Sequence, residues 1–110
     1  PSRHVLGTPA YLPPEALQNG VPNASWDLWP LTLVLYEALA GGNPFVATTV
    51  RETLERVGGM TLPDLRQLRP DCSEQLAQFF HAALSRELRR RPSSATELKH
   101  QLLKFEAAFS

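Results

Sequence analysis

The chain has 110 residues, 43% of them hydrophobic and 20% charged, with 11 basic side chains against 11 acidic ones. That is the composition of one soluble globular domain or part of one, and a formal net charge of zero excludes the domain-wide basic field that marks nucleic-acid and anionic-membrane binders. A single cysteine, Cys72, excludes an internal disulfide and fits a reducing cytoplasmic setting. The chain opens on Pro1 without methionine or a charged-then-apolar leader, so the expectation is a fragment or a processed piece.

Taken in chain order, the elements predict an all-α fold. The stretch "GTPAYLPPEAL", residues 7–17, sets three prolines and a tyrosine around Thr8 and carries a lone carboxylate, Glu15. From Trp26 to Ala40 the chain reads "WDLWPLTLVLYEALA", apolar on nearly every face, as a buried helix does. It is too short to span a bilayer, which needs about 20 apolar residues. Pro30 is tolerated only in a first turn, so this central helix is expected over about residues 27–40, stopped by Gly41-Gly42.

Thr49-Val-Arg-Glu52 has the spacing of a capping box, and Gly58-Gly59 closes the helix that it opens. Residues 60–71 read as a loop. Ser73 can cap a further helix in which Leu76, Phe79, Phe80, Ala83 and Leu84 share one face. Ser94-Ala-Thr-Glu97 is a second capping box, ahead of a last helix with Leu98, Leu102, Phe105 and Phe109 on one side.

Searched directly, the residues give no catalytic constellation. His4, His81 and His100 stand far apart without Cys or carboxylate partners at ligand spacing, so no metal is expected. No nucleophile motif surrounds a serine, and the two Gly-Gly pairs read as helix stops rather than a phosphate cradle. Arg86, Arg89, Arg90 and Arg91 read first as a solvated charged face.

Three ordered motifs then resemble the eukaryotic-type Ser/Thr protein kinases, in the later part of their helical C-lobe. "GTPAYLPPE" is similar to the P+1 loop with its Ala-Pro-Glu element. "DLWPLTLVLYEALAGGNPF" is similar to helix F, and "RRRPSSATEL" to the Arg-Pro-Ser-Ala-x-Glu-Leu element before the last helix. "LRPDCSEQL" also resembles bacterial members. The resemblance implies the end of an activation segment over residues 1–15, helix F over 27–40 and later C-lobe helices over 46–109.

It also implies roles. Gly7, Thr8, Pro9 and Tyr11 match the substrate-docking wall, with Thr8 matching the hydroxyl that contacts a catalytic aspartate absent from this chain. Asp27 matches the helix F aspartate that receives backbone N–H groups of the catalytic loop, and an N-cap role suits it equally. Glu15 matches the carboxylate that pairs with a buried arginine, here Arg91. The sequence departs from the family's pattern at Pro13, Pro30, Thr32 and Glu87-Leu88. His4 stands four before Thr8, where many members carry a phosphorylatable residue.

The chain has no glycine-rich loop, strand lysine, His-Arg-Asp or Asp-Phe-Gly element. ATP and Mg are therefore implied for an intact parent acting on protein Ser/Thr hydroxyls, and no cofactor is expected for these residues alone. In the family, helix F is covered by a preceding helix and the catalytic loop, so self-association of this piece, as a homo-oligomer, is expected. A pseudokinase scaffold would share every motif, and a free-standing helical interaction module is the more distant alternative.

Overall fold

The computed structural model describes residues 9–18, 25–59 and 61–105. Two 3₁₀ turns, Pro9–Tyr11 and Pro14–Gln18, precede the long helix α1, Ser25–Ala40. Then come α2, Val50–Gly59, the single turn α3, Leu65–Leu68, α4, Glu74–Ala83, a 3₁₀ turn at Leu88–Arg90, and α5, Ala95–Leu103. The fold is all-α, and among the described residues there is no strand.

Helix α1 is the axis on which the rest packs. Leu28, Trp29, Thr32, Leu33, Tyr36 and Leu39 are buried, a set that recurs at helical spacing. Tyr36 meets Phe80 of α4 edge-on with ring centroids 5.6 Å apart, and its hydroxyl donates to the Pro63 carbonyl at 3.0 Å. Phe79 continues the cluster to Phe105, beyond α5, at 5.7 Å. A buried aromatic pair of this geometry contributes about 0.5–1.5 kcal/mol beyond area burial.

Two expectations for α1 are corrected. The helix begins at Ser25, so Pro30 lies inside it, where its missing N–H removes one bond, the one that the Trp26 carbonyl would accept. A proline there costs about 3 kcal/mol, offset by the deep burial of Trp29 and Leu33 on either side of it. Nor is the helix buried all round, because Leu31 is 51% and Val34 49% exposed. With Asp27 and Ala38, also exposed, they form a stripe at i, i+4, i+7 and i+11, since the packing partners lie on the other side. Thr32 fits the buried side by donating its hydroxyl to the Leu28 carbonyl at 2.8 Å.

The helix stop is as expected. Gly41 adopts φ +95°, the left-handed conformation that favours glycine, and its N–H donates to the Glu37 carbonyl at 2.8 Å. Both capping boxes form in half. Thr49 Oγ1 accepts from Glu52 N–H at 3.1 Å and Ser94 Oγ from Glu97 N–H at 3.1 Å. The return bonds differ: the Thr49 hydroxyl itself reaches the Glu52 carboxylate at 3.3 Å. Glu97 reaches past the cap to Ser93, taking its N–H at 2.8 Å and its hydroxyl at 2.7 Å.

Residues 60–71 are not all loop, because α3 occupies Leu65–Leu68. Asp64 caps it by accepting from Arg66 N–H at 3.0 Å, and fully buried Leu65 anchors it. A single turn is too short to show a hydrophobic period. Ser73 caps α4 as expected, accepting from Leu76 N–H at 3.1 Å, and the five apolar side chains assigned to its inner face are buried. Phe109 lies outside the described residues.

Candidate functional site

The proline-rich segment is held at three levels: by its own turns, by the end of α1, and by a distant arginine. Pro9 opens the first 3₁₀ turn and Pro14 the second, where a φ fixed near −65° suits the tight spiral. Fully buried Ala10 presents its carbonyl to Asn43 Nδ2 at 3.2 Å. Asn43 Oδ1 accepts from Phe45 N–H at 2.7 Å, so one amide ties the segment to the chain that follows α1. The Tyr11 hydroxyl donates to Glu37 Oε1. That bond to a carboxylate, then burial, then the Glu37 charge hold the Tyr11 phenol above its usual pKa.

Below these contacts lies the clamp. Arg91 Nη1 donates to Glu15 Oε2 at 2.8 Å and Nη2 to Oε1 at 2.9 Å, across 76 residues of sequence. Arg91 Nε donates to the Ser85 carbonyl at 2.7 Å, and the guanidinium lies 4.6 Å from the centre of the Trp29 ring. The Arg91 side chain is 2% exposed and that of Glu15 18%. A planar fork that finds a carboxylate, a carbonyl and an aromatic face is the arrangement in which arginine tolerates burial. Burial pushes the Glu15 carboxyl up, and the Arg91 hydrogen bond, a backbone bond and the Arg91 charge outweigh it, leaving the group below its usual value.

The other side chains singled out in the sequence fall elsewhere. Gly7, Thr8 and His4 lie outside the described residues. Asp27 stands in the first turn of α1 and is exposed. Its N-cap reading is corrected, because the helix starts two residues before it. His81 is half-buried and His100 exposed. Among the described residues no group of three or more His, Cys, Asp or Glu is placed to hold a metal ion, and no helix is long and apolar enough to cross a membrane.

Of the four arginines, Arg91, the one that the resemblance pairs with Glu15, is buried while Arg86, Arg89 and Arg90 are exposed. Sequence reasoning passed over Glu37 and Asn43, which position the segment. The signal for Glu37 was present as the one charge besides Asp27 in an otherwise apolar run, whereas Asn43 after Gly41-Gly42 reads only as a turn residue.

Comparison with known proteins matches residues 1–103 to the family model described as protein kinase domain. The DNA damage-responsive serine/threonine-protein kinase RqkA of Deinococcus radiodurans is 36% identical over 95 residues, 86% of this chain and 14% of that protein. The human serine/threonine-protein kinase ULK3 is 32% identical over 105 residues, covering 94% of this chain and 22% of its own length. Human death-associated protein kinase 2 is 26% identical over 98 residues, 89% of this chain and 26% of its own. The chain thus spans about one-seventh to one-quarter of the length of these curated relatives.

Proposed function

The chain belongs to the protein kinase domain family, and on that footing we propose that it is the later C-lobe part of a Ser/Thr protein kinase. Residues 1–15 end its activation segment, 27–40 form helix F and 46–109 the later C-lobe helices. The whole protein transfers the γ-phosphate of ATP to serine or threonine hydroxyls of protein substrates. Gly7, Thr8, Pro9 and Tyr11 form the wall that receives the substrate residue after the phosphoacceptor. The observation that carries this reading is the Glu15–Arg91 fork, which closes the segment from Pro9 onward onto the body of the fold. A docking wall must hold its shape before substrate arrives, because ordering it on binding costs affinity.

In this reading ATP and its magnesium ions are held by elements that the sequence of this chain does not contain, so the chain by itself neither binds nucleotide nor transfers phosphate. Calorimetry on the 110-residue chain with MgATP is expected to give no heat of binding; micromolar affinity would overturn the assignment. Assayed as the whole protein with Ser- and Thr-containing peptides, Tyr11→Phe should lower kcat/KM through a loosened wall. No transfer by the wild-type whole protein would replace the kinase reading with that of a kinase-like scaffold. Cys72 as the only cysteine agrees with a cytoplasmic location.

The exposed stripe of α1 supports self-association of the isolated chain. Leu31 and Val34, about half exposed, are large apolar side chains in the open stripe of a helix whose other side is packed into the core, and a second copy that covers them removes that surface from water. Light scattering at rising concentration is expected to show a dimer or larger species, reduced to monomer by Leu31→Glu with Val34→Lys. A monomer throughout for the unaltered chain would refute it.

A further inference from the structure

A cavity of about 280 Å³ opens where the end of α4 and the turn after it face the chain that follows α2. Besides the buried Leu62 and Leu84, its lining carries Thr61, His81, Ser85, Arg86, Glu87 and Arg90. Five of these six side chains can donate a hydrogen bond. Arg86 Nη1 donates to the Gly58 carbonyl at 2.9 Å, which fixes the guanidinium at the rim and leaves its remaining N–H groups without a partner among the described residues. The Arg90 guanidinium likewise has none there. Glu87 is the one carboxylate on the wall, and it is engaged by Arg89 at 3.2 Å. In a chain of zero net charge the cavity is a local excess of positive charge with its donors unspent.

We propose that this cavity binds a phosphate monoester, supplied as a phosphoserine or phosphothreonine side chain of a protein segment. Two guanidinium groups and two hydroxyls suit a tetrahedral dianion with three free oxygens, and arginine forks recognise phosphate in two-point contacts. The volume lies just under the roughly 300 Å³ at which pockets for whole small molecules begin. It has room for a phosphorylated side chain. The choice of a phosphorylated protein segment as the source rests on the kinase reading, since that activity makes such esters, whereas the charge and shape of the cavity stand without it.

The test is fluorescence anisotropy of the chain with a labelled peptide Ala-Ala-phosphoserine-Ala-Ala and its unphosphorylated twin. Only the phosphorylated peptide is expected to bind. Arg90→Gln, at an exposed side chain whose loss removes no bond within the described residues, should weaken it about tenfold, the scale of one charge-assisted contact. Arg86→Gln should do at least as much, and Arg66→Gln, exposed and outside the cavity, should leave binding unchanged. Circular dichroism confirms that each variant is folded.

Three results would overturn the proposal: no binding at millimolar peptide, equal binding by folded Arg90→Gln and the unaltered chain, or inorganic phosphate binding as tightly as the phosphopeptide. The last would assign the cavity to the free ion. Phosphate transfer by the whole protein is measured in parallel. Transfer without phosphopeptide binding overturns the cavity alone, and phosphopeptide binding without transfer overturns the kinase reading alone.

Discussion

Two arginine–carboxylate forks in this molecule have nearly the same bond lengths and opposite standing. Arg91 grips Glu15 at 2.8 and 2.9 Å, and Arg69 grips Asp71 at 2.9 Å through both contacts. Arg91 reaches across 76 residues and its side chain is 2% exposed. Arg69 reaches two residues along its own loop, with side-chain exposures of 41% and 69% for the pair. Bond length therefore says little about what a fork is worth. In water the second pair exchanges with solvent and is screened, whereas breaking the first strands a charge against Trp29.

The largest effect that would sharpen this contrast is Arg91→Ala, which strands Glu15, empties the space over Trp29 and releases the Ser85 carbonyl. Losing one partner of a buried pair costs about 3–5 kcal/mol. At roughly 4–8 °C per kcal/mol for a domain of this size, Tm should fall by more than ten degrees. Arg89→Ala and Arg90→Ala should leave Tm near that of the unaltered chain. Equal small shifts for all three arginines in a calorimetric scan would dissolve the distinction.

Glu15→Gln comes next, because the amide still hydrogen-bonds Arg91 without neutralising it, for a loss of about 1–3 kcal/mol at neutral pH. Its signature is in acid. The folded pKa of Glu15 is below its unfolded value, so the folded state binds fewer protons than the unfolded one. The stabilisation is then complete above an unfolded pKa of about 4.3 and disappears as pH falls through the lower folded value. Urea melts between pH 7 and pH 2 should bring Glu15→Gln and the unaltered chain together at low pH. A constant gap between them would contradict the assignment.

Tyr11→Phe removes the bond to Glu37 and is expected to cost about 1 kcal/mol, measured by the same melts, a smaller loss than the clamp because the pair is only half-buried. Asp71→Asn should produce the least change of all, even though the bond lengths it disturbs match those of the clamp. A Tm shift on the scale of Glu15→Gln would show that exposure is not what separates the two forks.

Much of this was legible because it is local. The caps at Thr49, Ser73 and Ser94, the stop at Gly41 and the inner face of α4 follow from residue type and helical spacing over a few positions. The pairing of Glu15 with Arg91 was reached through the family resemblance, since nothing in either neighbourhood points to the other. What escaped was short or depended on a partner: α3, a single turn held by buried Leu65, and Glu37 and Asn43, whose roles exist only once Tyr11 and Ala10 arrive beside them. Pro30 was misplaced because local rules charge a proline its full cost, without the burial of Trp29 and Leu33 that outweighs it.

By itself the amino-acid sequence determined an all-α chain, the order and approximate ends of its longer helices, and the motifs that tie it to its family. These depend on backbone preference and on side chains three or four positions apart, and both are written along the chain. Only the tertiary structure decided which side of α1 stays open, that Glu37 and Asn43 hold the proline-rich segment, and that Arg86 and Arg90 share a cavity with His81. Those outcomes depend on desolvation, and a side chain is desolvated by whatever part of the fold comes to rest against it.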